Sequence, residues 1–264
     1  MKNLIVKSND LVNASFVLSL LEQKIMLTAI SQLDSKSPID HKKIYTIKAS
    51  DLNEILSGGN YTNLKNASKR LIRRIITVKV PETENEMEFH WVDHTTYLHD
   101  MGAVEIKFSE KIVPYLSDLR SRFTQYRLKY VQKFQSAHSI RIYEMLISWQ
   151  STEYCYIEID ELRERLQLTD KYKKIADFQK FVIKKSLDEI NEHSDIKVKY
   201  KPKKSGKFIV GFQFLFSYKK KEEAEKIESA LPKQLDKSYV EKNAKPGESW
   251  DQAYARLSKQ LKNN

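Results

Sequence analysis

The side chains with most chemical promise in this sequence are cations set at helical spacing. Lys65, Lys69 and Arg73 recur every fourth residue, which at 100° per residue puts them one turn apart on a single helix face. Lys180 and Lys184 repeat that spacing, with Lys171, Lys173 and Lys174 at the N-terminal approach. Lys203 and Lys204 stand in the turn Pro202-Lys203-Lys204-Ser205-Gly206-Lys207, between two alternating segments. Such stripes neutralise phosphates and hold a protein in register on a duplex. They could also be solvated helix faces, and the elements that carry them must decide.

Other chemistry is thin. His90 and His94 share one face of a strand expected over 87–97, with His99 beyond, but no cysteine supports a zinc site there. Glu82, Glu84, Glu86 and Glu88 would line one strand face and read as a solvated hairpin. There is no G-x-x-x-x-G-K-[ST] loop to cradle a nucleotide and no His-hydrophobic-His pair of the kind a nicking enzyme uses. The single Cys155 cannot form an internal disulfide, which suits a reducing cytoplasm. No catalytic residue, metal or cofactor is expected, and the chain reads as a non-enzyme.

The whole chain carries 46 Lys and Arg against 35 Asp and Glu over 264 residues, a formal +11. Residues 1–133 hold +5, residues 134–221 hold +6, and 222–264 are neutral. Residues 60–81 hold six cations and no acid; residues 165–207 hold 13 cations against 6 acids. Two basic stripes in two similar blocks are the electrostatic footprint of a bipartite nucleic-acid binder. Apolar runs are too short for a membrane span, and no secretory signal is expected at the N-terminus.

Both blocks suggest the same order of elements. In the first, a buried helix over 19–33 precedes a strand over 44–47 and a short helix over 50–56 that Ser50 can cap and Gly58-Gly59 ends. A basic helix follows, with Leu64, Ala67, Leu71 and Ile75 facing inward, then strands over 77–80 and 87–97. In the second, a helix over 136–149 leads to a strand through Cys155, Ile157 and Ile159. Asp160 is placed to cap a short helix over 161–166, and a long helix runs over 176–192 with Ile183, Leu187 and Ile190 inward. The closing hairpin sets Lys197, Lys199 and Lys201 outward, while Phe208, Val210, Phe212, Phe214, Phe216 and Tyr218 alternate on the return strand. Helix-turn-helix followed by a hairpin is a winged-helix plan. The expected fold is α+β: two tandem winged-helix domains, 1–133 and 134–221, and a partly helical tail over 222–264. The first hairpin is acidic and should point away from DNA or face a partner; the second is basic and suits phosphate or minor-groove contact. In the tail, Trp250, Ala253, Tyr254, Leu257 and Leu261 form a stripe that could pack back on the body or bind a partner.

Val6-Lys7-Ser8-Asn9-Asp10-Leu11 and Leu18-Ser19-Leu20-Leu21-Glu22-Gln23-Lys24 resemble the opening of the iteron-binding plasmid replication initiator family. Val104-Glu105-Ile106-Lys107-Phe108-Ser109, Pro114-Tyr115-Leu116, Phe123-Thr124-Gln125-Tyr126 and Ser139-Ile140-Arg141-Ile142-Tyr143-Glu144 resemble its middle. Glu189-Ile190-Asn191 and the segments 195–198 and 212–216 resemble its C-terminal domain, so the likeness runs in order from about residue 4 to 218. The resemblance implies a monomer that grips direct repeats in double-stranded DNA at a plasmid origin, one recognition helix per domain. It also implies a dimer that represses its own gene, and recruitment of a host initiator and replicative helicase to a melted A·T-rich segment. Carried onto this chain, the DNA-binding residues are Lys65, Lys69, Arg73 and Arg74 in the first domain. In the second they are Lys173, Lys174, Gln179, Lys180 and Lys184, with wing residues Lys203 and Lys204. A winged-helix transcriptional repressor with no replication role would use the same folds and charges, and a nicking enzyme is a further alternative.

Overall fold

Helix α2 is the pillar of the first half. The computed structural model describes residues 3–52, 61–80, 83, 85–219, 252 and 256. Before α2 come β1 (Leu4–Ser8), α1 (Asn9–Asn13) and β2 (Ser15–Phe16); α2 itself spans Leu20–Ile30. Ser19 opens α2 through a capping box with Glu22, and every residue from Glu22 to Ile30 is buried, as a core helix requires. Next are β3 (Tyr45–Lys48), a 3-10 turn over Ala49–Leu52, and α3 (Tyr61–Leu71). The rest of the expected 50–56 helix and Gly58-Gly59 lie outside the described residues.

Helix α3 stops at Leu71, so the expected fourth inward residue, Ile75, is not on it. Amides of Arg73 and Arg74 close a turn onto the carbonyls of Arg70 and Leu71, and Ile75 begins β4 (Ile75–Lys79) with 46% of its surface exposed. The β-branched run Ile75-Ile76-Thr77-Val78 favours a strand over another helical turn. The expected single strand over 87–97 is two: β5 (Glu86–His90) pairs with β4, and β6 (Val92–Leu98) pairs with β7 (Ala103–Phe108) in another sheet. Trp91, 1% exposed, is the corner, packed edge-on against Phe16 at 4.9 Å. His90 and His94 therefore lie on different strands rather than one face. In the alternating series Met87, Phe89 and Trp91, the last two are buried but Met87 is exposed.

After a 3-10 turn over Glu110–Tyr115, strand β8 (Phe123–Arg127) returns to pair along all of β1, and α4 (Lys129–Gln132) follows. The second half starts with α5 (Ala137–Ile147), capped by Ser136, and β9 (Tyr154–Glu158). Helix α6 (Ile159–Arg165) begins two residues before the expected start, with Glu158 at its cap position and Asp160 inside its first turn. Helix α7 (Ile175–Asp177) runs without a break through a π-helical segment, Phe178–Lys184, into α8 (Lys185–His193). Strands β10 (Ile196–Ser205) and β11 (Phe208–Tyr218) form the closing hairpin, with β9 on the far side of β11.

Two side chains of α8 fasten this half. Asn191 pairs with the Val198 backbone in both directions, at 2.7 and 3.0 Å, and Glu189 Oε2 accepts from the amides of Gln135 and Ser136. The hairpin departs from its expected alternation at one point. The pairing slips between Lys203 and Lys204, so Val210 is an extra residue in β11. Beyond that bulge the faces exchange: Ile209 stands opposite Lys204, and Phe208 turns outward with 78% of its surface exposed.

Residues Met1–Tyr218 form one compact unit and 219–264 a second. The expected tail stripe lies outside the described residues, of which only Gln252 and Arg256 fall in that segment, both helical.

Candidate nucleic-acid interface

Each half presents a basic helix over a buried apolar floor. On α3, Leu64, Ala67 and Leu71 are fully buried, while Lys69 is exposed and Lys65 half-buried. Lys65 Nζ lies 3.4 Å from His99 Nε2 and 5.8 Å from the centre of the Tyr97 ring. Arg73 is exposed, but in the turn after α3 rather than as the third rung of its stripe. Arg74 is held elsewhere: its Nε and Nη2 donate to Glu22 at 2.9 and 3.1 Å, beside Arg70 Nε at 2.7 Å. Glu22 is buried, which alone would raise its pKa, but donation from Arg74, the Ser19 amide and Arg70 outweighs that and holds the carboxyl below its ordinary value.

In the second half, the turn from Leu168 to Lys173 is closed by a buried cation rather than an exposed one. Arg163, 9% exposed, donates from Nη1 to the carbonyls of Leu168 and Lys171 at 3.2 and 2.8 Å, and from Nη2 to that of Tyr172 at 2.6 Å. Its guanidinium also lies 4.5 Å from the centre of the Phe178 ring. A cation three residues before Leu166 and next to Leu162, on an inward stripe, was the sequence signal available for it. This arrangement presents Lys173 and Lys174, both exposed, at the start of the helix.

The π-helical segment then widens the turn. Phe178, Val182 and Ile183 are fully buried beneath exposed Lys180, Phe181 and Lys184, with Gln179 half-buried beside them. Such segments occur often at functional sites. Phe181 is 48% exposed, tilted against Tyr172 at 6.3 Å and with Lys180 Nζ 5.1 Å from its ring centre. Neither aromatic stands out in the sequence. Lys203 and Lys204 are exposed on the wing, away from the helix in sequence but on the same half.

The two halves are joined by polar contacts at the base of α6. Arg165 donates to Asn13 Oδ1 at 2.9 Å, Ser15 Oγ donates to the Glu164 carbonyl at 2.6 Å, and Lys79 Nζ meets Glu164 Oε1 at 2.9 Å. Deeper, Lys7 Nζ and Glu144 Oε1 are 2.6 Å apart, Tyr126 donates to the same oxygen, and Arg141 donates to the Ala14 carbonyl at 2.7 Å. Burial pulls Lys7 below its ordinary value and lowers Arg141 to about 10; burial would raise Glu144, but Lys7 and Arg141 hold it down.

Among the described residues no group of three His, Cys, Asp or Glu is placed to hold a metal, and no helix is long and apolar enough to cross a membrane. His94 is hydrogen-bonded to Thr96, and Glu86 stands opposite Lys79 in the β4–β5 pair. Glu82 and Glu84 lie outside the described residues. Burial pushes the Cys155 thiol up to about 12, which makes it a poor nucleophile.

Two halves, each with a basic helix followed by a β-hairpin, define a tandem winged-helix protein. The chain belongs to the initiator replication protein family: residues 4–147 match the "Initiator Replication protein, WH1" model and residues 158–216 the "Initiator Rep protein, WH2" model. It is similar to a replication initiation protein of Escherichia coli, 27% identical over 209 residues, covering 75% of this chain and about 65% of the relative's length. It is also similar to the PI protein of Escherichia coli, 25% identical over 223 residues, covering 71% of this chain and 73% of that protein. The structure of the Pi initiator protein in complex with iteron DNA superposes with a TM-score of 0.71 at 25% identity, covering 83% of this chain and 98% of that one.

Proposed function

We propose that this protein initiates plasmid replication by binding repeated double-stranded DNA sites at the origin. The observation that carries the reading is the pairing of two exposed basic helices, each on a buried floor, in a chain that superposes on an initiator crystallised with iteron DNA. Helix α3 and the helix over 175–193 enter successive major grooves. Lys65, Lys69 and Arg73 serve the first, and Lys173, Lys174, Gln179, Lys180 and Lys184 the second, with Phe181 positioned for thymine methyl contact. Lys203 and Lys204 clamp phosphate from the wing. Arg74, bound to Glu22, acts in this scheme by holding the end of α3.

The wider proposal includes a division at 133/134, a tail from 222, origin opening, recruitment of a host initiator and helicase, and a dimer that represses the protein's own gene. It also includes action in the cytoplasm without catalysis. Helix α5, which begins just after that division, packs against both α1 and α8. Binding to DNA flanking the gene should weaken with salt, log K falling about 0.9 per log unit of salt for each phosphate contacted. A flat salt response would refute the reading.

A further inference from the structure

The tip of the second hairpin presents a large apolar side chain where the alternation of the strand would have hidden it. Phe208 continues the inward series Phe212, Phe214 and Phe216, yet the Val210 bulge turns it onto the outward face with Lys201 and Lys203. It is 78% exposed, the largest value among the described large hydrophobic residues, while Phe212 and Phe214 are fully buried. No core contact accounts for a phenylalanine there. The turn itself is set by Gly206 at φ +59°, which leaves Phe208 beside the apex.

The surroundings identify what could cover the ring. From Ile196 to Tyr218 the hairpin carries six lysines and no acid, so its surface is complementary to a polyanion. Apolar side chains on basic hairpins and loops enter the minor groove, unstack neighbouring base pairs and bend the duplex. We infer that Phe208 is a minor-groove wedge: the lysine-bearing wing brings it to the duplex, and the ring inserts at a base step and kinks it. This rests on the proposal that the second half binds duplex DNA. Bulges that re-aim one side chain are common beside functional sites.

The test measures DNA bending apart from DNA binding. Duplexes selected from a random-sequence pool by the wild-type protein, labelled at both ends, report end-to-end distance by energy transfer. Wild type should shorten that distance; Phe208→Ala should bind about tenfold more weakly, with an unchanged salt slope, and leave the duplex straight. Phe208→Leu should keep much of the bend, and all three proteins should melt at the same temperature. Equal bending by Phe208→Ala and wild type would overturn the wedge while leaving DNA binding intact. So would a straight wild-type complex, or a Phe208→Ala defect confined to single-stranded DNA or to self-association. Recovery of no duplex by the wild type would instead overturn the DNA-binding proposal itself.

Discussion

Glu144 holds two buried cations, Lys7 from the start of the chain and Arg141 from its own helix. Glu144→Gln leaves both without a counter-charge, and loss of one partner from a buried ionic group costs about 3–5 kcal/mol. A large fall in melting temperature is the expected result. Unfolding at different pH gives a second check. The folded carboxyls of Glu22 and Glu144 lie below the ordinary 4.5, so the stability they add is complete above that pH and fades as pH falls through the folded values. The acid limb of the stability curve should therefore flatten in the Glu144→Gln protein. The Lys7–Glu144 pair left little local trace in the sequence, because its partners are 137 residues apart. Lys180 and Lys184 were legible for the opposite reason: helical spacing is a local signal. Changing each to Ala should leave stability within about 0.5 kcal/mol of wild type in a melting experiment, as exposed positions do. The magnitude of the salt slope of DNA binding should fall by about 1 for each phosphate contact removed. An unchanged slope in both variants would take these lysines out of the interface.

At the scale of elements, the helix-turn-helix of the second half depends on Arg163. Its fork reaches carbonyls at three successive points of the turn, a geometry that a lysine does not reproduce. Arg163→Ala and Arg163→Lys should both speed amide exchange across 167–174 and weaken DNA binding, although each leaves the exposed lysines in place. Protection equal to wild type would mean that the turn holds without the guanidinium. The longer helices, the strands over 44–47 and 77–80 and the closing hairpin follow from apolar periodicity and caps, which is why the plan of each half could be read from sequence. The short α1 and α4 and strands β1, β2 and β8 carry too few residues for a periodic signal. The departures share one physical cause, a local change of period that leaves composition untouched. At Ile75 a helix gives way to a strand after a short turn, at Trp91 one strand becomes two, at Phe178–Lys184 the helix widens, and at Val210 one extra residue exchanges the faces.

The whole molecule joins two winged-helix units by Arg165–Asn13, Ser15–Glu164 and Lys79–Glu164 contacts above the Lys7–Glu144 core. Those contacts hold the two basic helices relative to one another within residues 1–218, and in the proposed complex they set the spacing of the grooves that the helices enter. The neutral segment 222–264 adds no net charge to that surface. Its removal should leave DNA affinity unchanged in a direct titration, and a marked loss would show that the tail takes part in binding. The central claim is that both helices engage one duplex, and a hydroxyl-radical footprint on the DNA flanking the gene tests it most directly. Wild type should protect tracts about one helical turn, or about 10 base pairs, apart. The double variant Lys65→Ala/Lys69→Ala should lose one tract, and Lys180→Ala/Lys184→Ala the other. Protection of a single tract by the wild type, or loss of the same tract in both variants, would contradict the account.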